Sequence, residues 1–331
     1  MSESRVRTVG GVSRSERYPL PPVPDGWYAV GDSAALAPGE ARPARWFGRE
    51  LVLFRGHDGA ARLFDAHCPH LGAHLGHGGC VEGDGIRCPF HGWRFDGEGR
   101  LAEVPRLGRE PPRASVRAWP VREAEGRIFA WFHARGAAPG WELPEIRDGD
   151  PSRWTDWITE RWEVRTHVQD MAENILDRAH FLHVHDMEAP DAPRFEISFD
   201  GPAMTVEQNM KMTSDAAIAS RTTNWGPGIS LTRVDVGPIH SVTFITHTPV
   251  EPELVEFRLS FSMHRFDDPA ATAYVERRNR EVVNLQASQD MPIWEHKVYR
   301  ERPILTALDG PVHEYRRWYA QFYSEREAPA R

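Results

Sequence analysis

Two stretches of the chain carry side chains whose types and spacing suit metal binding. Residues 68–91 read CPHLGAHLGHGGCVEGDGIRCPFH, with Cys68-Pro69-His70 followed, after 17 intervening residues, by Cys88-Pro89-Phe90-His91. Two thiolates and two imidazoles in this order suit a 2Fe-2S cluster in which Cys68 and Cys88 hold one iron and His70 and His91 the other. Neutral imidazoles in place of two thiolates reduce the negative charge on the cluster and raise its potential, so the chemistry implied is one-electron transfer. The same four side chains also satisfy tetrahedral zinc, but zinc-finger histidines come as a later pair rather than each beside its own cysteine. Glycines at 72, 76, 78, 79 and 92 allow tight turns whose N–H groups face cluster sulfurs. Cys80 has no histidine at the matching spacing and reads as a bystander. His67, His74 and His77 read as solvated loop histidines.

The second stretch, residues 170–186, reads DMAENILDRAHFLHVHD and has helical spacing in Met171, Ile175, Leu176 and Phe181. Asn174, Asp177, His180 and His185 fall on it or just past it, and Asp290 lies further along in Gln289-Asp290-Met291. Two imidazoles and a carboxylate can form the facial triad that binds non-haem Fe(II) and leaves positions open for O2. Spacing alone pairs His180 with His183, three residues on along one helical face. His185, five residues on, lies about 140° round a helix from His180, so the helix must distort or end between them. Asp186 and Glu295 compete with Asp290 for the carboxylate position.

The first stretch is similar to the Rieske cluster motif. The string E-N-x-x-D-x-x-H-x4-H, here Glu173, Asn174, Asp177, His180 and His185, resembles the mononuclear-iron motif of Rieske non-haem iron oxygenases. That resemblance, which spans residues 27–323, implies His180, His185 and Asp290 as iron ligands and leaves His183 beside the site or in the packing. It implies Asn174 as a polar neighbour of the iron. It implies Asp177 as the carboxylate linking an iron histidine of one subunit to a cluster histidine of the next, within a homotrimer. The endings QDMPIWEHKVY and DGPVHEYRRWYAQFY resemble the oxygenase components of the 3-ketosteroid 9-alpha-hydroxylase group and the related cholesterol 7-desaturases. The activity implied is that of a terminal oxygenase with O2 as co-substrate and a ferredoxin and/or flavin reductase carrying electrons from NAD(P)H. Its substrate would be largely apolar, sterol-like or polycyclic, and would be hydroxylated or desaturated. The alternative is hydroxylation or O-demethylation of a smaller aromatic or natural product. A stand-alone electron carrier would leave the second half of the chain unexplained, and a sterol-transfer module would have no need of a redox cluster.

The elements that must position these residues divide in two. The 331 residues suffice for an N-terminal arm (1–26), an all-β Rieske 2Fe-2S domain (27–135) and a catalytic domain (136–331), the boundary falling in the Pro/Gly-rich 136–144. Short strands are expected at 27–30, 44–47, 50–55, 61–65, 85–88, 93–95, 115–119 and 127–131. In the second half strands are expected at 154–164, 194–198, 203–212, 229–236, 239–248 and 253–264, and helices at 170–186, 270–297 and 312–325, with Pro292 interrupting the long one. The class is therefore α+β. The catalytic part is expected to be a twisted antiparallel sheet flanked by helices, a helix-grip, START-like arrangement, with Met204, Met210, Trp225, Ile229, Phe244 and Trp294 as candidate pocket residues. A net charge of −8 argues against nucleic acid as a partner. Three cysteines, two of them assigned to iron, exclude a disulfide framework and fit a cytoplasmic enzyme. The first 20 residues are polar and lack a signal-peptide pattern, and no apolar run approaches the roughly 20 residues of a transmembrane segment. A soluble chain is expected, and residues 1–20 are expected to be loosely packed.

Overall fold

The computed structural model describes residues 7–9, 12–14, 17–188, 194–211, 217–306 and 309–324. The chain separates into two compact units, one of residues Trp27–Gly140, the other of Trp141–Arg331 together with Met1–Gly26.

The Trp27–Gly140 unit is built from short antiparallel strands in three small sheets. One sheet sets Ala61–Asp65 between Ala118–Trp119 and Arg49–Arg55, with Ala41–Trp46 at the edge. Another is a meander of Cys80–Glu82, Gly85–Arg87, Arg94–Phe95 and Leu101–Glu103. The third joins Val121–Ala124 and Arg127–Phe132 to Gly26–Asp32. Inward-facing Val52, Phe54, Phe64, Leu75, Ile86 and Phe95 make the core, and Cys68 and Cys88 are part of it. The 80–82, 101–103 and 121–124 strands escaped the sequence reading because they are three or four residues long and carry charged residues, which leaves no alternation to detect.

The other unit is dominated by a seven-stranded antiparallel sheet. From Phe195–Asp200 the strands run as a meander through Ala203–Lys211, Ala217–Trp225, Ile229–Val236, Ile239–Glu251 and Leu254–Met263, and Ile158–Val164 closes the far edge. Ala217–Trp225 was missed in the sequence, where AIASRTTNW offers only small and Thr-rich alternation. Met212 and Glu325, the expected ends of one strand and one helix, lie outside the described residues.

Three expectations need correction. The 170–186 helix is broken: α1 (Val168–Glu173) passes through a 3-10 turn at Asn174–Leu176 into α2 (Arg178–His183). Asp177 starts α2 as its N-cap, its Oδ1 accepting the His180 N–H at 3.0 Å. The long helix α3 (Pro269–His296) is begun by Asp268, which accepts from the Ala270 N–H, and it runs through Pro292 without interruption. The missing Pro292 N–H costs one bond, to Ser288 O, a single turn before the helix ends anyway. The arm is not loose where it is described: Tyr18 and Leu20 are buried, and Tyr18 Oη reaches Asp170 Oδ2 at 3.2 Å. Arg17 Nε donates to Lys297 O at 2.7 Å and its Nη2 to Trp294 O, pinning the end of α3.

The C-terminal helix α4 (Val312–Tyr319) clamps α1. Tyr315 Oη donates to Gln169 O at 2.9 Å, Tyr323 Oη to Gln169 Oε1 at 2.7 Å, and Arg316 grips Glu173 with two hydrogen bonds. The aromatic-rich C-terminus thereby fixes the segment that bears Asn174, Asp177 and His180.

Candidate metal centres

The two Cys/His loops have the same backbone construction. Cys68 N–H donates to Ala73 O and Gly72 N–H to Cys68 O; Cys88 N–H donates to Trp93 O and Gly92 N–H to Cys88 O. Each loop turns back through a glycine of positive φ, 78° at Gly72 and 72° at Gly92. At Gly92 an added Cβ would also stand 2.9 Å from Pro105 Cγ, so any side chain there is strained twice over. Both cysteines are buried, and both histidines are exposed with ring centroids 4.6 Å apart. His70 stacks on Trp93 at 4.4 Å. Burial pushes the Cys68 thiol up to about 11; the His70 backbone N–H pulls it down, and the neighbouring Cys88 raises it further. Two thiols side by side below and two imidazoles side by side above are a donor set divided two and two, which fits a 2Fe-2S group with one sulfur-held and one nitrogen-held iron. Cys80 is exposed and stands apart, and His67 and His77 are exposed as well.

In the other unit His180, His185 and Asp290 come together. His180 Nε2 lies 3.1 Å from His185 Nε2 and 2.9 Å from Asp290 Oδ1, and His185 Nε2 lies 3.3 Å from the same oxygen. Donors about 2.1 Å from a common ion and at right angles to one another are about 3.0 Å apart, so the spacing fits three adjacent positions of one metal. α2 ends at His183 with Val184 as its C-cap, so His185 lies just past the helix, where its ring meets His180, and the chain turns away after it through the left-handed φ of 53° at Asp186. One ligand atom from each of the three lies within 4.8 Å of the others, a grouping able to hold a metal ion. His183, Asp186 and Glu295 are exposed and outside it.

The surroundings aim lone pairs at the centre. Gln289 Oε1 accepts from His185 Nδ1 at 3.0 Å, which leaves Nε2 without a proton, and Asn174 Nδ2 stands 3.2 Å from His180 Nε2, beside the lone pair that a metal would take. Asp290 Oδ1 is buried, and although both ring nitrogens are close, no hydrogen bond of sound geometry satisfies it. Burial alone would push the Asp290 carboxyl up, but the two imidazoles outweigh burial and hold it below the usual carboxylate range. Burial likewise disfavours a charged His185, and Asp290 and Gln289 outweigh it and raise the ring. An orphaned carboxylate oxygen facing two imidazole lone pairs calls for a cation. The sequence reading passed over Gln289, which was visible only as a neighbour of Asp290. The signal for Asp290 itself was stronger: it interrupts the buried stripe Val283, Ala287, Trp294 on α3, a charged residue at an apolar position.

His185 and Asp290 also line a cavity of about 600 Å³ between the sheet and α3, within the range of about 300–1,000 Å³ that encloses a drug-sized ligand. Met210 and Trp294 line it as expected, and four other candidates do not. Trp225, Ile229 and Phe244 sit one residue out of phase with lining neighbours Asn224, Ser230 and Thr243, so they face the other side of the sheet. Met204 has the right parity but is packed against Tyr315 and Tyr319 beyond the cavity's end.

Comparison with known proteins accords with this construction. Residues 26–120 match the Rieske [2Fe-2S] domain, and residues 130–323 match the 3-ketosteroid 9alpha-hydroxylase C-terminal domain. A probable 3-ketosteroid-9-alpha-monooxygenase oxygenase component of Rhodococcus rhodochrous is 32% identical over 98% of this chain and 85% of its own. Cholesterol 7-desaturase nvd 1 of Ciona intestinalis is 33% identical over 92% of this chain and 70% of its own. Among solved structures, NdmA of Pseudomonas putida CBB5 with caffeine has a TM-score of 0.73 at 20% identity, each chain covered to 89%. Dicamba monooxygenase bound to dicamba has a TM-score of 0.70 at 21% identity, covering 90% of this chain and 96% of that one. The fold is thus that of the Rieske oxygenases, and the chain belongs to that family, in the branch that holds the 3-ketosteroid 9-alpha-hydroxylase oxygenase components and the cholesterol 7-desaturases.

Proposed function

We propose that this protein is a terminal oxygenase that hydroxylates or desaturates a sterol-like or polycyclic substrate, with Cys68, His70, Cys88 and His91 holding the cluster and His180, His185 and Asp290 holding the iron. The observation that carries the reading is the convergence of His180, His185 and Asp290 at the wall of a cavity large enough for a fused-ring molecule. When bound, the 2Fe-2S cluster supplies single electrons and the mononuclear iron supplies O2 activation at a C–H bond. The chain's part is to place that bond. Met171, Phe257 and Trp294 offer apolar and aromatic walls, and closure around the substrate excludes water. Gln289 fixes the His185 imidazole through its hydrogen bond at Nδ1, and Asn174 stands as a polar neighbour of His180 Nε2. The cavity's size favours this reading over a single-ring aromatic substrate.

An oxygenase component needs a separate electron donor, and we assign that role to a ferredoxin and/or flavin reductase drawing on NAD(P)H. Leu71 and Phe90, 66% and 62% exposed beside His70 and His91, give the imidazole side of the cluster loops an apolar rim suited to a transient protein contact. Asp177 is assigned the carboxylate link between neighbouring subunits of a homotrimer; it is half-buried and lines a small cavity of about 130 Å³ with Glu173, Lys297 and Arg316. No helix among the described residues is long and apolar enough to cross a membrane. The cytoplasmic placement rests on the free cysteines.

The test is iron analysis followed by a screen of steroids and smaller aromatics, with ferredoxin and reductase added and products read by mass. About three irons per chain and oxidised steroid products are expected. Asp290→Ala should abolish turnover while the cluster spectrum persists, and Glu295→Ala should not. Colourless protein carrying stoichiometric zinc, or full activity in Asp290→Ala, would refute the assignment.

A further inference from the structure

The polar side chains in the floor of the large cavity mostly close on one another: the Thr222 and Thr232 hydroxyls share a bond of 2.9 Å, and Ser241 Oγ donates to Val234 O at 3.3 Å. His247 does not. It lines the cavity on the inward face of the Ile239–Glu251 strand, in phase with Ser241, Thr243 and Ile245, and is only 5% exposed. Burial alone acts on its ring and depresses it to about 4, with no hydrogen bond to either nitrogen among the described residues. The imidazole therefore stays neutral near pH 7, with one N–H donor and one acceptor nitrogen. A buried donor ordinarily has an acceptor, and this one borders the space a ligand would fill.

The neighbours of His247 leave its ring edge to the cavity. Phe257, its cross-strand partner, stacks on one face with centroids 5.6 Å apart and planes 10° from parallel. The ring nitrogens point outward in the ring plane, so Phe257 covers a face without meeting either of them. On the other side the His247 backbone N–H donates to Gly228 O at 3.0 Å, and Gly228 has no side chain to close in on the ring. The triad stands at this same end. Trp294, one turn beyond Asp290 on α3, packs edge-on against Phe257 at 5.7 Å, and Met171 of α1 belongs to the same cluster. Asn224, in one row with Ser230 and Ile245, donates from Nδ2 to Ala172 O at 3.3 Å, so α1 lies across this end of the sheet before leading through Asn174 to His180.

We propose that His247 is a substrate-binding residue whose imidazole N–H donates to an uncharged oxygen of the substrate, of a ketone or a hydroxyl. A neutral donor set among Phe257, Ile245 and Gly228 suits such an oxygen better than a carboxylate, whose charge would be buried with no cation beside it. Resting on the oxygenase reading for the place of reaction, the proposal puts the substrate's oxygen at the end of the cavity where the substrate is oxidised, not at the far end.

The test measures the iron-loaded enzyme's affinity for androstane, androstan-3-one, androstan-17-one and androstan-3β-ol, without reductant, by equilibrium dialysis. For at least one oxygenated ligand, the ratio of its Kd to that of androstane should rise about 10-fold in His247→Phe, which keeps a ring on Phe257 and removes the N–H. In His247→Gln, which keeps an N–H donor, the rise should be smaller. His247→Leu carries the same comparison should His247→Phe fold poorly. An unchanged ratio for every oxygenated ligand in the donor-less variant, an equal rise in that variant and His247→Gln, or no binding of any of these ligands would overturn the proposal. The oxygenase reading stands or falls separately, on iron content and substrate-dependent O2 uptake.

Discussion

At the scale of single residues, the iron site depends on side chains that never touch the metal. Gln289 reaches His185 across 104 positions of sequence and holds its Nδ1 proton, so Nε2 can only present a lone pair. Removing such a partner ordinarily costs 10- to 100-fold in metal affinity. Gln289→Leu should therefore weaken Fe(II) binding by about that factor in a titration of protein that keeps its cluster but has lost the mononuclear iron, with the cluster spectrum unaltered; undiminished affinity would show that packing alone orients the ring. The ligand types were legible in the sequence because each Cys/His pair is local and its loop is built within six residues. Gln289 was not, because its partner is distant in sequence and an amide beside a carboxylate carries no spacing signal. The pocket residues were half legible: apolarity picked out Met210 and Trp294, but a one-residue uncertainty in strand phase turned Trp225, Ile229 and Phe244 to the wrong face.

At the scale of elements, two buried histidines tie the α1 segment and the sheet to pH. His167 caps α1, its Nδ1 accepting from the Gln169 N–H at 3.1 Å and its Nε2–H donating to Pro21 O at 3.0 Å, an arrangement open only to the neutral ring. His247 stacks on Phe257 at 5.6 Å and lines the cavity. Burial depresses both to about 4. Because the folded value lies below the unfolded one, near 6.5, the unfolded chain takes up protons first as pH falls. The contribution, roughly 3 kcal/mol for each histidine, is whole above pH 6.5 and is lost as pH falls from there toward 4. Urea unfolding between pH 7.5 and 4.5 should show this slope, and His247→Phe should cut it by about half; an unchanged slope would mean that the ring is not held neutral. Periodicity made the helical stretches legible in place but not in number, since three were expected and four helices form among the described residues. It could not show that the 170–186 run breaks at Asn174, because the break follows from the Asp177 cap and from the packing of α4, not from any helix-breaking residue.

At the scale of the whole molecule, the α+β class and the division of labour were legible, since the two metal-type clusters fall in stretches of different periodicity. What the chain does with itself was not: an assembly interface leaves no period in a sequence. If Asp177 joins an iron histidine of one subunit to a cluster histidine of the next, the contact is head-to-tail between unlike surfaces, and such contacts close into rings. Asp177→Ala alone would be a poor probe, because Asp177 also caps α2 and its loss weakens that helix by about 1 kcal/mol. The cleaner experiment mixes two inactive variants, His91→Ala to disable the cluster and His180→Ala to disable the iron site, after joint dissociation and reassembly. In mixed rings an intact cluster on one chain then neighbours an intact iron site on another, so part of the activity should return, in proportion to the mixed species counted by native mass spectrometry. Verified mixed rings without activity would mean that each chain supplies electrons only to its own iron, and that Asp177 serves α2 and nothing beyond it.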